Sequence, residues 1–120
     1  MTDDGRPSTQ RLYAHNDSCA MFVDVSDIVA LVASKKYTSI LSHSREQYFI
    51  VDHGLMDVHA TLDQDIFVRV HRSSVVNRRF IDGITCDDEG RLFVLMRGME
   101  TPLRVTQAPS NLRPMYTPAR

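Results

Sequence analysis

Residues Phe67–Asn77 read FVRVHRSSVVN, and the pattern of this segment carries the strongest indication of the fold. In its first half Phe67, Arg69 and His71 alternate with the residues between them, so a period of two places one set on each face of an extended chain. The chain then passes through a polar His-Arg-Ser tip and returns through an apolar pair to an asparagine. The pattern predicts a strand that ends in a polar tip, with Arg72 near the strand end.

Short apolar runs of strand length continue on both sides of this stretch. The turn Asp87-Asp88-Glu89-Gly90 predicts the clearest hairpin, because Asp and Gly turn chemistry lies between two apolar runs. Only residues 54–62 show helical spacing, with Asp52 available as an N-cap. The predicted strand segments are 21–23, 28–33, 37–41, 48–51, 67–72, 75–76, 80–84, 92–96 and 103–105. The sequence therefore predicts an all-β, mainly antiparallel domain with one small helix.

Length and composition indicate a single module. The chain has 120 residues, of which 42% are hydrophobic and 24% charged, as in ordinary globular domains. Residues 1–20 are predicted to be a flexible tail or linker, residues 21–113 the domain, and residues 114–120 a loose tail. No apolar run approaches the roughly 18 to 20 residues that cross a bilayer, and the polar start does not resemble a signal peptide. A cytoplasmic protein without membrane contact is expected.

Charge is divided unevenly along the chain. Residues 1–65 carry five Lys or Arg against ten Asp or Glu, whereas residues 66–120 carry nine Arg against five Asp or Glu. A protein that binds an anionic partner on one surface can show such asymmetry, although most isolated arginines simply solvate a strand face.

Motifs with a catalytic or metal-binding mechanism are missing from the sequence. It contains no GxGxxG, GxxxxGK[ST], HExxH or GxSxG, so an enzyme is not predicted. His53, Asp57 and His59 lie around the predicted helix, but nothing else at ligand spacing joins them, and a metal site needs three or four converging ligands. A solvated helix face is the preferred interpretation. Neither a metal nor a cofactor is expected.

The stretch FVRVHRSSVVN, followed by Phe80-Ile81 and an Asp-Gly hairpin, resembles the signature of LytTR DNA-binding domains, the output domains of bacterial LytR/AlgR-type transcriptional regulators. That signature has the form F-x-R-x-H-R-S-x-x-V-N. Asp27–Leu31 and Lys35–Thr38 resemble the family's opening strand and following loop, and Leu55–Leu62 resembles its small helix. The resemblance covers residues 21–112. It implies an elongated fold of about ten strands in which three loops at one edge, instead of a recognition helix, enter successive major grooves.

Carried over by position, the resemblance places the first loop at residues 34–38, the second at residues 72–74 and the third after Val105. Lys35 and Lys36 are expected to bind phosphate, and Arg72 to reach into the groove, because phosphate contacts supply affinity while base-edge contacts supply preference. The residues predicted to bind DNA are Lys35, Lys36, Tyr37, Thr38, Arg69, Arg72, Ser73, Ser74, Asn77, Arg78 and Gln107.

Several of these residues have a structural alternative. His71 and Asn77 fit a hydrogen-bonded histidine and a loop-stabilising amide better than base readers. Arg78 and Arg79 fit solvated charges equally well, and Arg69 fits either the sheet or the DNA backbone. The last loop also departs from the family, which has Val-Ser-Arg-Arg where this chain has Val105-Thr106-Gln107-Ala108-Pro109. Gln107 can still pair with adenine, and Arg104 or Arg113 could compensate for the lost charge.

The resulting hypothesis is a sequence-specific DNA-binding domain of a bacterial transcriptional regulator, of the kind used in two-component systems. The resemblance implies that two protomers bind double-stranded promoter DNA at direct repeats, and that an upstream sensor or receiver domain is a further candidate partner. The alternative is a LytTR-like protein-interaction or antagonist module that has lost strong DNA binding. Salt distinguishes the two, because DNA binding weakens steeply with salt and an apolar protein interface does not.

Overall fold

A computed structural model describes residues 10–44 and 48–107, and these form ten strands, one α-helix and two short 3-10 turns. The helix α1 spans Leu55–Ala60, and the 3-10 turns span Val25–Asp27 and Arg78–Phe80. The strands are β1 (Arg11–His15), β2 (Ala20–Asp24), β3 (Ile28–Ser34), β4 (Tyr37–Ser42), β5 (Phe49–Val51), β6 (Phe67–His71), β7 (Ser74–Asn77), β8 (Ile81–Cys86), β9 (Leu92–Met96) and β10 (Leu103–Val105).

The strands form two sheets. A seven-stranded sheet has the order β2-β1-β5-β4-β3-β7-β6, and a three-stranded sheet has the order β10-β9-β8. Every pairing between described strands is antiparallel. The domain is elongated, with principal extents of 48 × 36 × 24 Å. The predicted all-β, mainly antiparallel fold with one small helix is confirmed.

Strand β3 lies between two hydrophobic cores because both of its faces are covered. Its apolar run, IVALVA, has the composition of a strand buried on both sides. A register shift between Ile28 and Ala30 interrupts the alternation, so Ile28 and Leu31 belong to one core while Val29 and Ala30 belong to the other. The first core lies between the seven-stranded sheet and α1, and the second lies between that sheet and the three-stranded sheet.

Helix α1 is positioned by its apolar face and not by the predicted cap. Leu55 and Val58 are buried against the sheet, as the helical spacing predicted. The cap prediction was wrong: Gly54 occupies the N-cap in an extended conformation and no side chain caps the helix. The Asp52 carboxylate instead accepts a hydrogen bond from His15 Nε2 at 3.0 Å, which ties β1 to the chain that follows β5.

The expected tail at residues 1–20 differs from the structure, because Arg11–His15 forms β1. This strand pairs with β2 along its whole length and with β5 at its end. Ala14 is fully buried, while Tyr13 contacts Phe22 edge to face with ring centroids 5.3 Å apart. The segment has too few apolar residues for its sequence alone to predict a strand. Its burial comes from pairing with β2 and β5. Residues 1–9 and the predicted tail at 114–120 lie outside the described residues.

The predicted hairpin turn between β8 and β9 is present, and one carboxylate holds it. Asp87 Oδ1 accepts the backbone N–H groups of Glu89 at 2.9 Å and Arg91 at 3.0 Å, and Oδ2 accepts Arg91 Nε at 2.8 Å. Gly90 closes the turn at φ +84°, a left-handed conformation that favours glycine. The hydrogen bond from the Arg91 backbone, above all, lowers the pKa of Asp87.

We expect Asp87→Asn to lower the thermal stability of the domain at neutral pH, and the difference from wild type to shrink under acid conditions. The pKa of Asp87 is lowered in the folded domain, whereas in the unfolded chain it lies near its ordinary value of 3.8. The ionised Asp87 carboxylate therefore stabilises the domain above pH 3.8, and this stabilisation is lost as pH falls through the folded pKa. Thermal unfolding followed by circular dichroism between pH 7 and pH 3 measures this, with the exposed neighbour Asp88→Asn as control. A difference that stays constant over the whole range contradicts the assignment.

Candidate nucleic-acid interface

The tip between β3 and β4 is a two-residue loop that carries two lysines. Ser34 pairs with Tyr37, which leaves Lys35 and Lys36 as the loop. Both lysines and Tyr37 are exposed, and neither ammonium group has a partner among the described residues. Lys35 has φ +58°, a conformation that costs a non-glycine residue about 1 kcal/mol. The hairpin therefore retains a lysine where glycine would be less strained.

We expect Lys35→Gly to stabilise the domain by up to about 1 kcal/mol, because glycine adopts a positive φ without strain. Lys36 has no positive φ, so the matched change Lys36→Gly should destabilise the domain slightly. Urea unfolding of the two variants measures both effects. Equal destabilisation by the two changes would show that Lys35 is not strained.

The tip between β6 and β7 is a second two-residue loop, directly beside the first. His71 pairs with Ser74, which leaves Arg72 and Ser73 as the loop. Arg72 is exposed and its guanidinium bonds to no described residue. Strands β3 and β7 are neighbours in the sheet, and the Ala33 N–H donates to the Ser73 carbonyl at 2.8 Å. Since paired strands lie about 4.8 Å apart, the lysine tip and the arginine tip are adjacent.

The third predicted loop is attached to the same end of β6 through a bulge. Val70 is left out of the register between β6 and β7, so its carbonyl is free to bind elsewhere. It accepts the backbone N–H groups of Thr106 at 2.7 Å and Gln107 at 3.0 Å. The segment that follows β10 is thereby held next to the tip between β6 and β7. The structure brings all three predicted loops together at one end of the sheet, which we call the three-loop edge (residues 34–37, 70–74 and 105–107).

Arg69 and His71 bond within the tip. Arg69 Nη2 donates to the Arg72 carbonyl at 2.6 Å, and Arg69 Nε donates to the His71 carbonyl at 3.3 Å. His71 Nδ1 accepts the Ser73 N–H at 3.1 Å and lies 2.8 Å from Ser73 Oγ. The predicted hydrogen-bonded histidine is confirmed. The Arg69 guanidinium, predicted to contact DNA or the sheet, contacts the loop backbone.

Burial removes Thr38, Ser74 and Asn77 from the predicted DNA-contacting side chains. Thr38 is fully buried and its Oγ1 donates to the His53 carbonyl at 2.8 Å, and Ser74 is only 6% exposed. Asn77 is 1% exposed; its Nδ2 donates to the Ile28 carbonyl at 2.8 Å and its Oδ1 accepts the Arg79 N–H at 2.9 Å. These three cannot reach a duplex from inside the domain. The alternative for Asn77, a loop-stabilising amide, is confirmed.

Arg78 was also predicted to bind DNA, but it lies at the far end of β7, away from the three-loop edge. Five residue steps along the extended strand separate it from Ser73, which is about 16 Å at a rise of about 3.3 Å per residue. Its Nη1 donates to the Asp65 carbonyl at 3.2 Å. Five exposed side chains of the predicted set remain at the three-loop edge, with Ser73 partly buried between them: Lys35, Lys36, Tyr37, Arg72 and Gln107.

Of the two arginines that could compensate for the lost charge of the last loop, Arg104 lies among the described residues. Arg104 is exposed on β10, with its guanidinium 6.0 Å from the centroid of the Phe93 ring. Arg113 lies outside the described residues. The bulge at Val70 was not predicted, because it depends on contacts with residues distant in the sequence.

No metal or membrane feature accompanies the edge. Within residues 10–44 and 48–107, no group of three His, Cys, Asp or Glu side chains is arranged to hold a metal ion. His59, considered above as a ligand, donates through Nε2 to the Phe67 carbonyl at 2.8 Å. The six-residue α1 is much too short to span a membrane, and no other described helix is long and apolar enough to do so.

Unpaired cations on neighbouring loops of a rigid β-scaffold define a domain suited to an anionic partner. The chain belongs to the LytTR family, since the family model for the LytTr DNA-binding domain matches residues 18–111. As a member of that family it is a LytTr-type DNA-binding domain.

Individual relatives agree with this assignment. Over 105 residues the chain is 27% identical to the heme-containing CO-sensing transcriptional regulator RcoM 1 and 25% identical to RcoM 2, both from Paraburkholderia xenovorans strain LB400. The matched region covers 85% of this chain but 39% of each regulator, so the chain spans well under half the length of these relatives.

The fold also matches a solved structure, the LytTr DNA-binding domain of a Bacillus cereus protein described as a methyl-accepting/DNA response regulator. The two share 23% sequence identity and a TM-score of 0.69, over 81% of this chain and 88% of the other. At this identity the likeness establishes the fold.

Proposed function

We propose that the chain is the sequence-specific DNA-binding domain of a bacterial transcriptional regulator, and that its three-loop edge enters successive major grooves of direct-repeat promoter elements. One observation carries the proposal: Lys35, Lys36 and Arg72 lie at one end of the sheet on tips joined by a backbone hydrogen bond, and no described residue neutralises them. Cations held in this way are available to phosphate and base edges without first breaking an ion pair.

The side chains of the edge divide by chemistry. Lys35 and Lys36 are compact charges on a hairpin tip, suited to phosphate oxygens. Arg72 has a rigid fork that can bind guanine O6 and N7 bidentately, and Gln107 can pair with adenine in the same manner. The hairpins hold these groups at fixed separations, so the edge supports preference for a particular order of bases.

Recognition by two protomers follows from the small size of a single edge. A few phosphate contacts release few counterions, so one module binds weakly, and a second module on an adjacent repeat adds to the affinity. The relatives RcoM 1 and RcoM 2 are transcriptional regulators much longer than this chain, which supports a sensor or receiver domain outside it as a further partner. The proposed place of action is the cytoplasm, where bacterial promoters lie.

Selection of binding sites from random duplexes tests the proposal. We expect enrichment of a short element in two copies with the same orientation, spaced by about 10 to 10.5 base pairs or a multiple of it. Affinity for the enriched duplex should fall steeply between 50 mM and 200 mM salt. Recovery of a pool no different from the input would refute sequence-specific binding.

A second candidate function rests on the last loop. Thr106 and Gln107 stand where the family has a serine and an arginine, so this loop presents less positive charge than expected. A module of this fold with weakened DNA binding could act by contacting a partner protein. Binding to that partner that persists at high salt, together with no preference among duplexes, would favour this candidate.

A further inference from the structure

We infer that Arg69 and His71 are positioning residues of the three-loop edge: they fix the backbone of the tip that carries Arg72 and make no contact with DNA themselves. The inference rests on the proposed function and assigns these two side chains a role within it.

The loop of this tip lacks the positive φ that is usual in two-residue hairpin loops. Two-residue hairpin loops favour turns with a positive φ at one or both loop residues, because such turns match the twist of the flanking strands. Neither Arg72 nor Ser73 has a positive φ, in contrast to Lys35 on the neighbouring tip. The bulge at Val70 also interrupts the ladder just before the loop. Other bonds must therefore hold the tip.

Arg69 supplies two of these bonds from one planar group. Its guanidinium donates to two consecutive carbonyls, those of His71 and Arg72, at 3.3 Å and 2.6 Å. Arg69 is partly buried, and with these donors directed at the loop backbone it holds the first half of the loop from inside. A lysine offers a point charge and cannot reproduce the fixed fork that spans both carbonyls.

His71 holds the second half of the loop through an acceptor. Because Nδ1 accepts the Ser73 N–H, the geometry assigns the ring proton to Nε2. A side-chain acceptor that binds the N–H two residues later is the arrangement that asparagine uses in an Asx-turn. An asparagine at position 71 therefore places an oxygen where His71 has Nδ1, whereas a glutamine does not.

The same bonds link the two tips. Ser73, whose N–H is held by His71, accepts the Ala33 N–H through its carbonyl. The position of Arg72 relative to Lys35 and Lys36 therefore depends on the conformation of Ser73. If the acceptor at position 71 is lost, the separation between the groove-reading arginine and the phosphate-binding lysines changes.

The test compares His71→Asn, His71→Gln, Arg69→Lys and Arg69→Met by fluorescence anisotropy. Each variant is titrated with the selected duplex and with a scrambled duplex over a range of salt concentrations. We expect His71→Asn to keep the wild-type ratio of specific to non-specific affinity within about threefold. His71→Gln, Arg69→Lys and Arg69→Met should each lose about fivefold or more of this ratio, because a misplaced bidentate contact forfeits at least that much discrimination.

The salt dependence separates positioning from direct contact. Loss of a phosphate contact lowers the slope of log affinity against log salt by about 0.9, so Arg69→Met should keep the wild-type slope if Arg69 touches no DNA. Circular dichroism shows which variants fold, and if His71→Gln does not fold, the Arg69 variants decide the outcome. A wild-type specificity ratio in His71→Gln or Arg69→Met overturns the inference and leaves the proposed function intact. A wild-type domain that does not distinguish the two duplexes overturns the proposed function instead.

Discussion

Replacing Lys36 and Arg72 together by alanine is expected to weaken binding to the selected duplex at least tenfold and leave the fold intact. Both side chains are exposed on adjacent tips and bond to no described residue, so their removal costs little stability. A bidentate arginine contact accounts for about 1 to 3 kcal/mol of discrimination, and each lost phosphate contact lowers the salt slope by about 0.9. The double variant should therefore bind the selected duplex at least tenfold more weakly and with a shallower salt dependence.

The matched control is Arg78→Ala with Arg79→Ala, which removes the same amount of positive charge from the far end of β7. If the location of the charges matters, this control keeps nearly the wild-type specificity ratio. Anisotropy titrations of both double variants against the selected and scrambled duplexes provide the comparison. Equal losses in the two double variants would mean that only net charge matters and that the three-loop edge has no special role.

Asn77→Ala is expected to lower the free energy of unfolding by about 2 to 4 kcal/mol. The amide is almost fully buried, and its removal leaves the Ile28 carbonyl and the Arg79 N–H without their partners. It also breaks the link between β3 and the end of β7, two strands of the same sheet. A buried polar group without a partner carries its full desolvation cost, so the loss exceeds that of an ordinary hydrogen bond.

Urea unfolding of Asn77→Ala measures this loss, with Lys36→Ala as the exposed control, which should stay within about 0.5 kcal/mol of wild type. An unfolding midpoint equal to that of wild type would show that the buried Asn77 amide does not stabilise the domain.

Much of the fold could be predicted because its signals are local. The alternation from Phe67 to His71 and the Asp-Gly turn after Cys86 each depend on residues a few positions apart, and both produced the strands expected from them. Strand β1 gives no such signal, since Arg11–His15 contains one alanine and one leucine among polar and aromatic residues. Its burial comes from pairing with β2 and β5, which a local reading of the sequence does not show.

The candidate site could be placed by loop but not by side chain. The three loops were assigned correctly to one edge, yet Thr38 and Ser74 lie in or beside these loops and are buried, and Asn77 lies at the far end of β7. Tyr37 and Thr38 alternate along β4, so a period of two implied that only one of them is exposed. For Asn77 the sign was its position just before a 3-10 turn, where an asparagine caps the turn. The bulge at Val70 depends on contacts with residues distant in the sequence, which leave no local pattern.

Amide chemical shifts of the labelled domain, mapped during titration with the selected duplex, show whether DNA binds at the three-loop edge. If DNA binds there, we expect the largest shift changes at residues 34–37, 72–74 and 105–107, and only small changes at the amides of α1 and of the β1–β2 pair. Changes concentrated on α1 or on β1 and β2, with the three loops unmoved, would contradict binding at this edge.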